Sequence, residues 1–217
     1  MLVNANFDER IVIDTLKNDW VSSPVPGVKR NMLDRLGAED ARATSIVRYA
    51  AGSAFTPHEH PLGEEFLVLS GIFSDEHGHY PAGSYVRNPP GSRHTAYSDN
   101  GCELFVKVRQ FDAADTKRVV IDTKSATFRQ GLVPGLKVLP LHEFGTEHAA
   151  LVRWAPGTKF QPHTHWGGEE IFVLEGVFSD EHGDYTSGTW LRSPHMSVHN
   201  PYSVPGCLIY VKVGHLV

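Results

Sequence analysis

Hydrophobic and polar residues alternate along short stretches of the chain. Leu104, Val106 and Val108 occupy every second position, with Phe105 and Lys107 between them. Successive side chains of a β-strand point to opposite faces, so this pattern predicts a strand with one apolar face. The same alternation returns near the C-terminal end of the chain.

Short apolar runs closed by glycine predict further strands. Residues 66–69 end before Gly71, and residues 171–174 end before Gly176. Turn signals such as PAGS, NPPGS and DNG recur along the chain. Short, evenly spaced strands with such turns are typical of an all-β sandwich or barrel. One helical turn is expected within residues 30–45.

The chain repeats itself. Residues 54–110 align without a gap on residues 159–215, and about half of the aligned positions are identical. The block FSDEHG occurs in both copies, at residues 73–78 and 178–183. We expect this block to form a strand–turn–strand connection, with its aspartate and glycine as turn residues, rather than a metal site.

The repeat also predicts the domain organisation. Upstream of the gapless region, RIVIDT and PGVK in the first copy match RVVIDT and PGLK in the second. Matching residues of the two copies are three positions further apart there than in the gapless region. The second copy therefore lacks three residues in a loop between Lys137 and Gly157. Each copy has about 100 residues, a typical domain size. We therefore predict two similar domains, residues 1–112 and residues 113–217.

Charge and hydropathy exclude several classes of function. The formal net charge is −5 and the pI about 6.2, which argues against non-specific binding to nucleic acids or acidic membranes. No apolar run is long enough to span a bilayer. The N-terminal residues do not resemble a secretory signal, and two cysteines cannot form a disulfide framework. We expect a cytoplasmic protein.

Histidine is enriched, with 13 residues, and three histidines of the first copy share a pattern with one glutamate. His58 and His60 are two residues apart, so on a strand both imidazoles point to one face. Glu64 follows after a turn, and His94 starts another expected strand. Three imidazoles and one carboxylate suit a first-row transition metal, and do not suit Ca²⁺ or Mg²⁺.

The second copy repeats all four candidate ligands, as His163, His165, Glu169 and His199. Random drift between the copies would scatter histidines, so the coincidence favours metal binding over chance. We therefore predict two divalent transition-metal ions per chain, with Zn²⁺ as the first choice and Fe²⁺ as the second. Sequence alone does not decide between these metals, because histidine and glutamate bind both.

The candidate ligands lie in a pattern that resembles both motifs of the cupin superfamily. The first copy keeps every spacing, in Gly52-x5-His58-x-His60-x3-Glu64-x6-Gly71 and Gly83-x5-Pro89-x-Gly91-x2-His94. The resemblance implies an all-β fold of two tandem cupin barrels, each a double-stranded, jelly-roll-like β-helix. It also implies a homodimer, since cupins often pair through sheet edges.

The second copy departs from the motif at one glycine. Met196 stands where the first copy has Gly91, and this change is expected to alter the turn before His199 without removing a ligand. The asparagine usual after the last histidine is replaced by serine, at Ser98 and Ser203. One interpretation is a binding or structural barrel in which the second copy has lost activity.

A narrower resemblance covers residues 63–102, which are similar to the C-terminal cupin domain of ChrR-type zinc anti-sigma factors. It implies that His58, His60, Glu64 and His94 bind Zn²⁺ and that the domain senses an oxidative signal. Those regulators hold the sigma factor with a helical domain that carries a His-x3-Cys-x2-Cys motif. Cysteines occur here only at positions 102 and 207, so we expect no direct sigma-factor binding.

Two functional hypotheses remain open at this point. The first is a ChrR-like regulatory or sensor module without the sigma-binding domain, in which zinc is structural or responds to a small ligand. The second is a mononuclear metal-dependent dioxygenase or related enzyme that acts on a small carbonyl compound. The residues do not decide whether the protein is an enzyme.

Other repeated residues receive structural interpretations. Glu65 and Glu170 adjoin the candidate ligands and are expected to face away, in ion pairs or behind a ligand. Arg87 and Arg192 are expected in ion pairs, at the surface or behind a ligand. Alternation places Cys102 on the interior face of its strand, where it acts as a small hydrophobic residue or, alternatively, as a thiol near the metal cavity.

Overall fold

A computed structural model describes residues 1–216 of the chain. The regular secondary structure of these residues is entirely β, and they contain no helix suited to cross a membrane. The strands are Leu2–Val3 (β1), Ile11–Asp14 (β2), Val21–Ser22 (β3), Val28–Leu36 (β4), Arg42–Tyr49 (β5), Ser53–Ala54 (β6), His58–His60 (β7), Glu64–Asp75 (β8), Gly78–Pro81 (β9), Ser84–Asn88 (β10), Ser92–His94 (β11), Tyr97–Ser98 (β12), Cys102–Val108 (β13), Val119–Asp122 (β14), Arg129–Gln130 (β15), Leu136–Phe144 (β16), Glu147–Trp154 (β17), Thr158–Lys159 (β18), His163–His165 (β19), Glu169–Asp180 (β20), Gly183–Thr186 (β21), Thr189–Ser193 (β22), Ser197–His199 (β23), Tyr202–Ser203 (β24) and Cys207–Val213 (β25).

The first compact unit contains Met1–Ala5 and Asp19–Ser125. Its main sheet has the strand order β1-β4-β5-β13-β8-β10-β14, and β7 pairs separately with β11. The long strand β8 continues past this sheet, where β9 and β12 pair with its second half. Strand β8 thus takes part in both sheets of the barrel. This arrangement agrees with the predicted all-β fold, a double-stranded β-helix.

The second unit repeats this architecture. Its main sheet has the order β15-β16-β17-β25-β20-β22-β2, and β19 pairs separately with β23. The long strand β20 pairs with β21 and β24 in its second half. The prediction of two tandem barrels of one type is confirmed.

Each unit includes a strand from the other sequence repeat. The second unit contains Asn6–Asn18, whose strand β2 pairs with β22. The first unit contains β14, from the start of the second repeat, which pairs with β10. The boundary after residue 112 stays a prediction about the sequence repeats, because the spatial units are interleaved along the chain.

Apolar side chains that alternate along the strands fill each barrel. In the first unit Cys102, Leu104 and Val106 pack with Phe66 and Phe73 in one buried cluster. The second unit has an equivalent cluster around the corresponding strands β20 and β25. The interior face predicted for Cys102, Leu104 and Val106 is therefore correct.

The helical turn expected within residues 30–45 is wrong. This segment forms β4 and β5, which pair in antiparallel register from Val28 opposite Tyr49 to Leu36 opposite Arg42. In this hairpin the backbone N–H and C=O groups form hydrogen bonds across the sheet. Thr44, Ile46 and Val47 in β5 are β-branched residues that favour a strand.

The β4–β5 hairpin also explains the difference in length between the two copies. Residues 37–41 connect β4 to β5, whereas residues 145–146 alone connect β16 to β17. The three residues missing from the second copy are therefore missing from this hairpin loop.

Candidate metal centres

Two short antiparallel strands bring the three histidines of the first copy together. In the pairing of β7 with β11, His58 lies opposite His94, and His60 is two residues further along β7. One ring nitrogen from each histidine lies within 4.8 Å of the others. The Nε2 atoms of His60 and His94 are 3.0 Å apart, so both point to a common centre.

Glu64 approaches the same centre from the start of β8. Its Oε2 atom lies 3.6 Å from Nε2 of His60 and 3.6 Å from Nε2 of His94. The Asn88 side-chain amide donates a hydrogen bond of 3.2 Å to this oxygen and orients the carboxylate. The structure therefore groups the three histidines of the first copy, and Glu64 lies beside His60 and His94 but not within 4.8 Å of all three.

The second copy forms the same arrangement. One potential ligand atom each from His163, His165, Glu169 and His199 lies within 4.8 Å of the other three. Glu169 Oε2 is 3.6 Å from Nε2 of both His165 and His199. The Nε2 atom of His165 is buried and has no hydrogen-bond partner among the described residues. A buried acceptor without a partner fits a metal ion at this position.

Backbone carbonyls orient the first histidine of each set. His58 Nδ1 lies 2.9 Å from the carbonyl oxygen of Thr56, and His163 Nδ1 lies 3.0 Å from that of Gln161. A carbonyl only accepts, so Nδ1 of each ring must carry the proton and donate. This leaves Nε2 with a free lone pair toward the centre, as a ligating imidazole requires.

Aspartates of the FSDEHG block lie behind the third histidine of each set. Asp75 Oδ2 is 3.3 Å from Nδ1 of His94, and Asp180 Oδ2 is 3.7 Å from Nδ1 of His199. Carboxylates in this position set the orientation and raise the basicity of metal-binding histidines. Sequence reasoning missed this role, although the complete identity of the block between copies was a signal for it.

The rest of the block is built as the predicted turn. Asp75 Oδ1 accepts hydrogen bonds from the backbone N–H groups of His77 and Gly78, at 2.8 and 3.1 Å. Glu76 accepts a hydrogen bond of 2.7 Å from the backbone N–H of Thr95, directly after His94. The turn therefore fixes both the ring and the backbone of the third histidine, and its own histidine stays outside the ligand group.

Burial favours the neutral form of the second histidine in each set. Burial lowers the pKa of His60, and it lowers the pKa of His165 to about 3. Burial also raises the pKa of Glu169 to about 7. Burial opposes ionisation of Glu64 too, but the neighbouring His60 and His94 bring its pKa below the usual value. Burial opposes the charged form of His94 and His199, but the carboxylates of Asp75 and Asp180 raise the pKa of these two histidines above the usual value. A divalent transition metal needs neutral imidazoles and an ionised glutamate, so its binding would release protons from these groups.

A cavity lies beside each centre. The first cavity has a volume of about 470 Å³ and reaches His58, His60 and Glu64. The second has a volume of about 720 Å³ and reaches His163, His165 and Glu169. A small molecule of about ten atoms fits either volume and can reach the ligand groups.

The glutamates next to the candidate ligands face away from the centres. Glu65 accepts hydrogen bonds from Arg87 at 2.6 Å and from Tyr85 at 2.8 Å. Glu170 accepts one of 2.7 Å from the Trp190 indole N–H. The ion pair expected for Glu65 is confirmed. Arg87 does not lie at the surface, because its exposed fraction is only 1 %.

The turn before His199 keeps its hydrogen bonds despite the loss of the motif glycine. Met196 donates its backbone N–H to the carbonyl of His165 at 2.9 Å, as Gly91 does to His60 at 2.9 Å. Met196 has a φ of 62°, close to the 80° of Gly91. The expected alteration of this turn is therefore wrong, and the methionine adopts a left-handed conformation that costs about 1 kcal/mol or more.

The two cysteines are buried and free. Burial raises the pKa of the Cys102 thiol, and it raises the pKa of Cys207 to about 11. Reactive thiols need a lowered pKa and exposure. The geometry therefore supports the interpretation of both cysteines as small hydrophobic residues.

Two β-barrels with a histidine-rich centre inside each barrel define a protein of the bicupin class. The chain belongs to the family of the ChrR cupin-like domain, whose model matches residues 8–112 and again residues 116–217. No curated protein matches the chain in a comparison of sequences.

Several solved structures share the fold. A protein from Nostoc punctiforme, provisionally described as a dioxygenase, has a TM-score of 0.80 and 15% identity over 95% of this chain and 82% of its own. Ylba from E. coli has a TM-score of 0.74 and 17% identity, with coverages of 96% and 92%. Oxalate decarboxylase from Lactobacillus farciminis, solved with formate, has a TM-score of 0.66 and 12% identity, with coverages of 95% and 86%.

Proposed function

We propose that this bicupin binds two divalent transition-metal ions and uses them to bind and convert a small oxygen-containing compound. The observation that carries the proposal is the grouping of the histidines beside a cavity in each barrel. Four protein ligands fill a tetrahedral zinc site, so a substrate would need a fifth position on the metal, which zinc can take up. Both centres lie beside cavity space, which leaves room for such a position.

The chain's own residues prepare each centre for this role. The proposed ligands are His58, His60, Glu64 and His94 in the first barrel and His163, His165, Glu169 and His199 in the second. Asp75 and Asp180 hold the third histidine of each set, and Asn88 holds Glu64. A bound metal would supply Lewis acidity toward an oxygen atom of the substrate.

Zinc is the metal that we favour, and iron is the second choice. The resemblance to ChrR-type zinc anti-sigma factors supports zinc, and the same histidine and glutamate donors also suit iron. Elemental analysis of untagged protein is the first test, and two equivalents of metal per chain are expected. His58→Ala with His60→Ala should remove about one equivalent, and His163→Ala with His165→Ala should remove the other.

A matched control distinguishes ligands from other histidines. His77→Ala with His182→Ala changes two histidines that lie outside both ligand groups, so this variant should keep both equivalents. If the variants at His58 and His60 retain full metal content, the first proposed centre is wrong. Retention by the variants at His163 and His165 refutes the second centre in the same way.

A second candidate function is a ligand-responsive regulatory module. The family match supports it, since this family is named for the cupin-like domain of ChrR. Oxygen uptake with a small 1,3-diketone such as acetylacetone, together with product analysis over a panel of carbonyl compounds, separates the two candidates. Metal-dependent turnover supports the enzyme. Saturable binding to metal-loaded protein without turnover of any compound supports the regulatory module.

A further inference from the structure

The cavity of the first barrel carries a group of arginines that the second cavity lacks. Arg30, Arg35 and Arg109 all line the space that reaches the first candidate centre. Burial and the neighbouring Arg30 both lower the pKa of Arg35, so two of these cations lie close together. A concentration of guanidinium groups beside a proposed metal ion is unfavourable unless an anion occupies the space between them.

A β-bulge places two of these arginines on the same face of β4. Residues five apart on a regular strand point to opposite faces. The register of β4 with β5 shifts between Met32 and Asp34, so Arg30 pairs with Val47 and Arg35 with Ala43. Val47 and Ala43 are four residues apart and both line the cavity. The bulge therefore turns Arg35 to the side of Arg30.

The guanidinium groups retain unused donors. Arg35 is 4 % exposed, and its Nη1 atom donates to the backbone carbonyls of Ala38 and Glu39. Arg30 donates to both carboxylate oxygens of Glu39, at 2.7 and 3.1 Å. The Nε atoms of Arg30 and Arg35 are buried without a hydrogen-bond partner among the described residues. The protein itself therefore leaves one N–H group of each guanidinium unsatisfied.

The acidic residues near the arginines are exchangeable. Glu39 and Asp40 belong to the hairpin loop 37–41, and their side chains are 56% and 95% exposed. Glu59, a further lining carboxylate, is already paired with Arg93 at 2.6 Å. A carboxylate that enters the cavity can therefore replace Glu39 on Arg30 while Glu39 returns to water at little cost.

The second barrel has none of these features at matching positions. Val138 and Glu143 stand where β4 has Arg30 and Arg35, and Gly214 stands where the first copy has Arg109. The described residues that line the second cavity include no arginine or lysine. The long hairpin loop is also reduced there to residues 145–146. Only the first barrel is thus built for a charged ligand.

We propose that the first barrel binds a small molecule with a carboxylate group, held by Arg30 and Arg35, with its other end toward His58, His60 and His94. Planar guanidinium groups match a carboxylate in two-point hydrogen bonds, and burial strengthens such bonds. The orientation toward the histidines rests on the proposed metal function, whereas the carboxylate contact does not. The second cavity, which lacks these arginines, is the comparison within the same chain. We expect it to bind an uncharged, apolar molecule.

Calorimetric titration with malonate tests this proposal, with dimethyl malonate as an uncharged probe of the same skeleton. Metal-loaded protein should bind malonate at an arginine-dependent site, about tenfold or more tightly than dimethyl malonate. Arg30→Val and Arg109→Gly introduce the residues of the second copy, and Arg109 already has a φ of 57° that suits glycine. Arg30→Val should weaken malonate binding about tenfold or more, and Arg30→Lys should weaken it less.

Two controls make the outcome decisive. Arg48→Val removes the same charge from the outer side of the barrel, where Arg48 pairs with Glu103, and should leave malonate binding unchanged. Metal content and thermal melting, measured on every variant, show that the barrel is intact. Equal malonate affinity in the wild type, Arg30→Val and Arg109→Gly overturns the carboxylate site, even when both metals are bound.

The same titration on metal-free protein separates this proposal from the proposed metal function. Arginine-dependent malonate binding that persists without metal supports the carboxylate site, whatever the elemental analysis shows. If metal-loaded and metal-free protein both fail to discriminate malonate from its diester, the carboxylate site is wrong and the metal centres are unaffected.

Discussion

Single side chains next to the candidate ligands orient the histidine rings of each centre. Asp75 combines two functions, because one carboxylate oxygen closes the turn at His77 and the other faces His94. Sequence spacing identifies the four residues that converge, since two of them share a strand face. It does not identify Asp75, whose contact with His94 depends on how β8, β9 and β11 come together.

Asp75→Asn should weaken metal binding at the first centre. The amide keeps the shape of the side chain but removes the charge behind His94, and loss of such a partner typically reduces metal affinity about 10- to 100-fold. A competitive titration with a chromophoric chelator measures the change. Asp122→Asn, in an exposed turn closed by Ser125, is the control and should leave affinity unchanged. Unchanged affinity in Asp75→Asn would show that the carboxylate does not tune the ligand.

Met196 stores backbone strain that can be measured. Met196→Gly should raise the free energy of unfolding by about 0.5–1 kcal/mol, since glycine adopts a positive φ without the steric cost. Gly91→Met, the reciprocal change in the first barrel, should lower the free energy of unfolding by a similar amount. Urea denaturation of both variants provides the comparison. A loss of stability in Met196→Gly would mean that packing of the methionine outweighs its strain.

At the scale of strands and turns, the sequence pattern was informative where one face is apolar and misleading where both faces are buried. The alternation of Leu104 and Val106 predicts their interior position correctly. Residues 30–45 offer no such alternation, because β4 and β5 bury polar groups on both faces. Asn31, Asp34 and Thr44 on one face are at most 1 % exposed, and Arg35 and Ser45 on the cavity face are 4 % and 3 % exposed. The β-bulge in β4 breaks the two-residue period further. A bulge leaves no local signal in sequence, so the face of Arg35 could be known only from the structure.

At the scale of the whole molecule, metal binding should be coupled to stability. A metal that binds the folded barrels and not the unfolded chain adds about 4 kcal/mol when its concentration is 1,000 times the dissociation constant. Removal of metal with a chelator should therefore lower the melting temperature, and one equivalent of Zn²⁺ per centre should restore it. The variant with His58→Ala and His60→Ala should lose only the part of this stabilisation that metal at the first centre provides. A melting temperature insensitive to chelation would argue against metal binding at both centres.

The exchange of β2 and β14 predicts how the chain responds to cutting. A fragment of residues 1–112 lacks β14, which covers β10, and contains β2, whose partner β22 belongs to the other fragment. Each fragment alone should be poorly soluble or self-associate through the unpaired strand. Co-expression of residues 1–112 and 113–217 should restore a soluble complex, detected by size-exclusion chromatography. Monomeric, well-folded single fragments would show that the exchanged strands are dispensable.

The exchange of strands also sets an order for folding during synthesis. β2 is translated well before its pairing partner β22, which is made of Thr189–Ser193 in the second repeat. The first barrel gains its last strand only when Val119–Asp122 has been translated. The segment 6–18 must therefore wait, exposed, through the translation of about 170 residues, and Asp8, Glu9, Arg10 and Asp14 within it are charges that keep such an unpaired strand soluble.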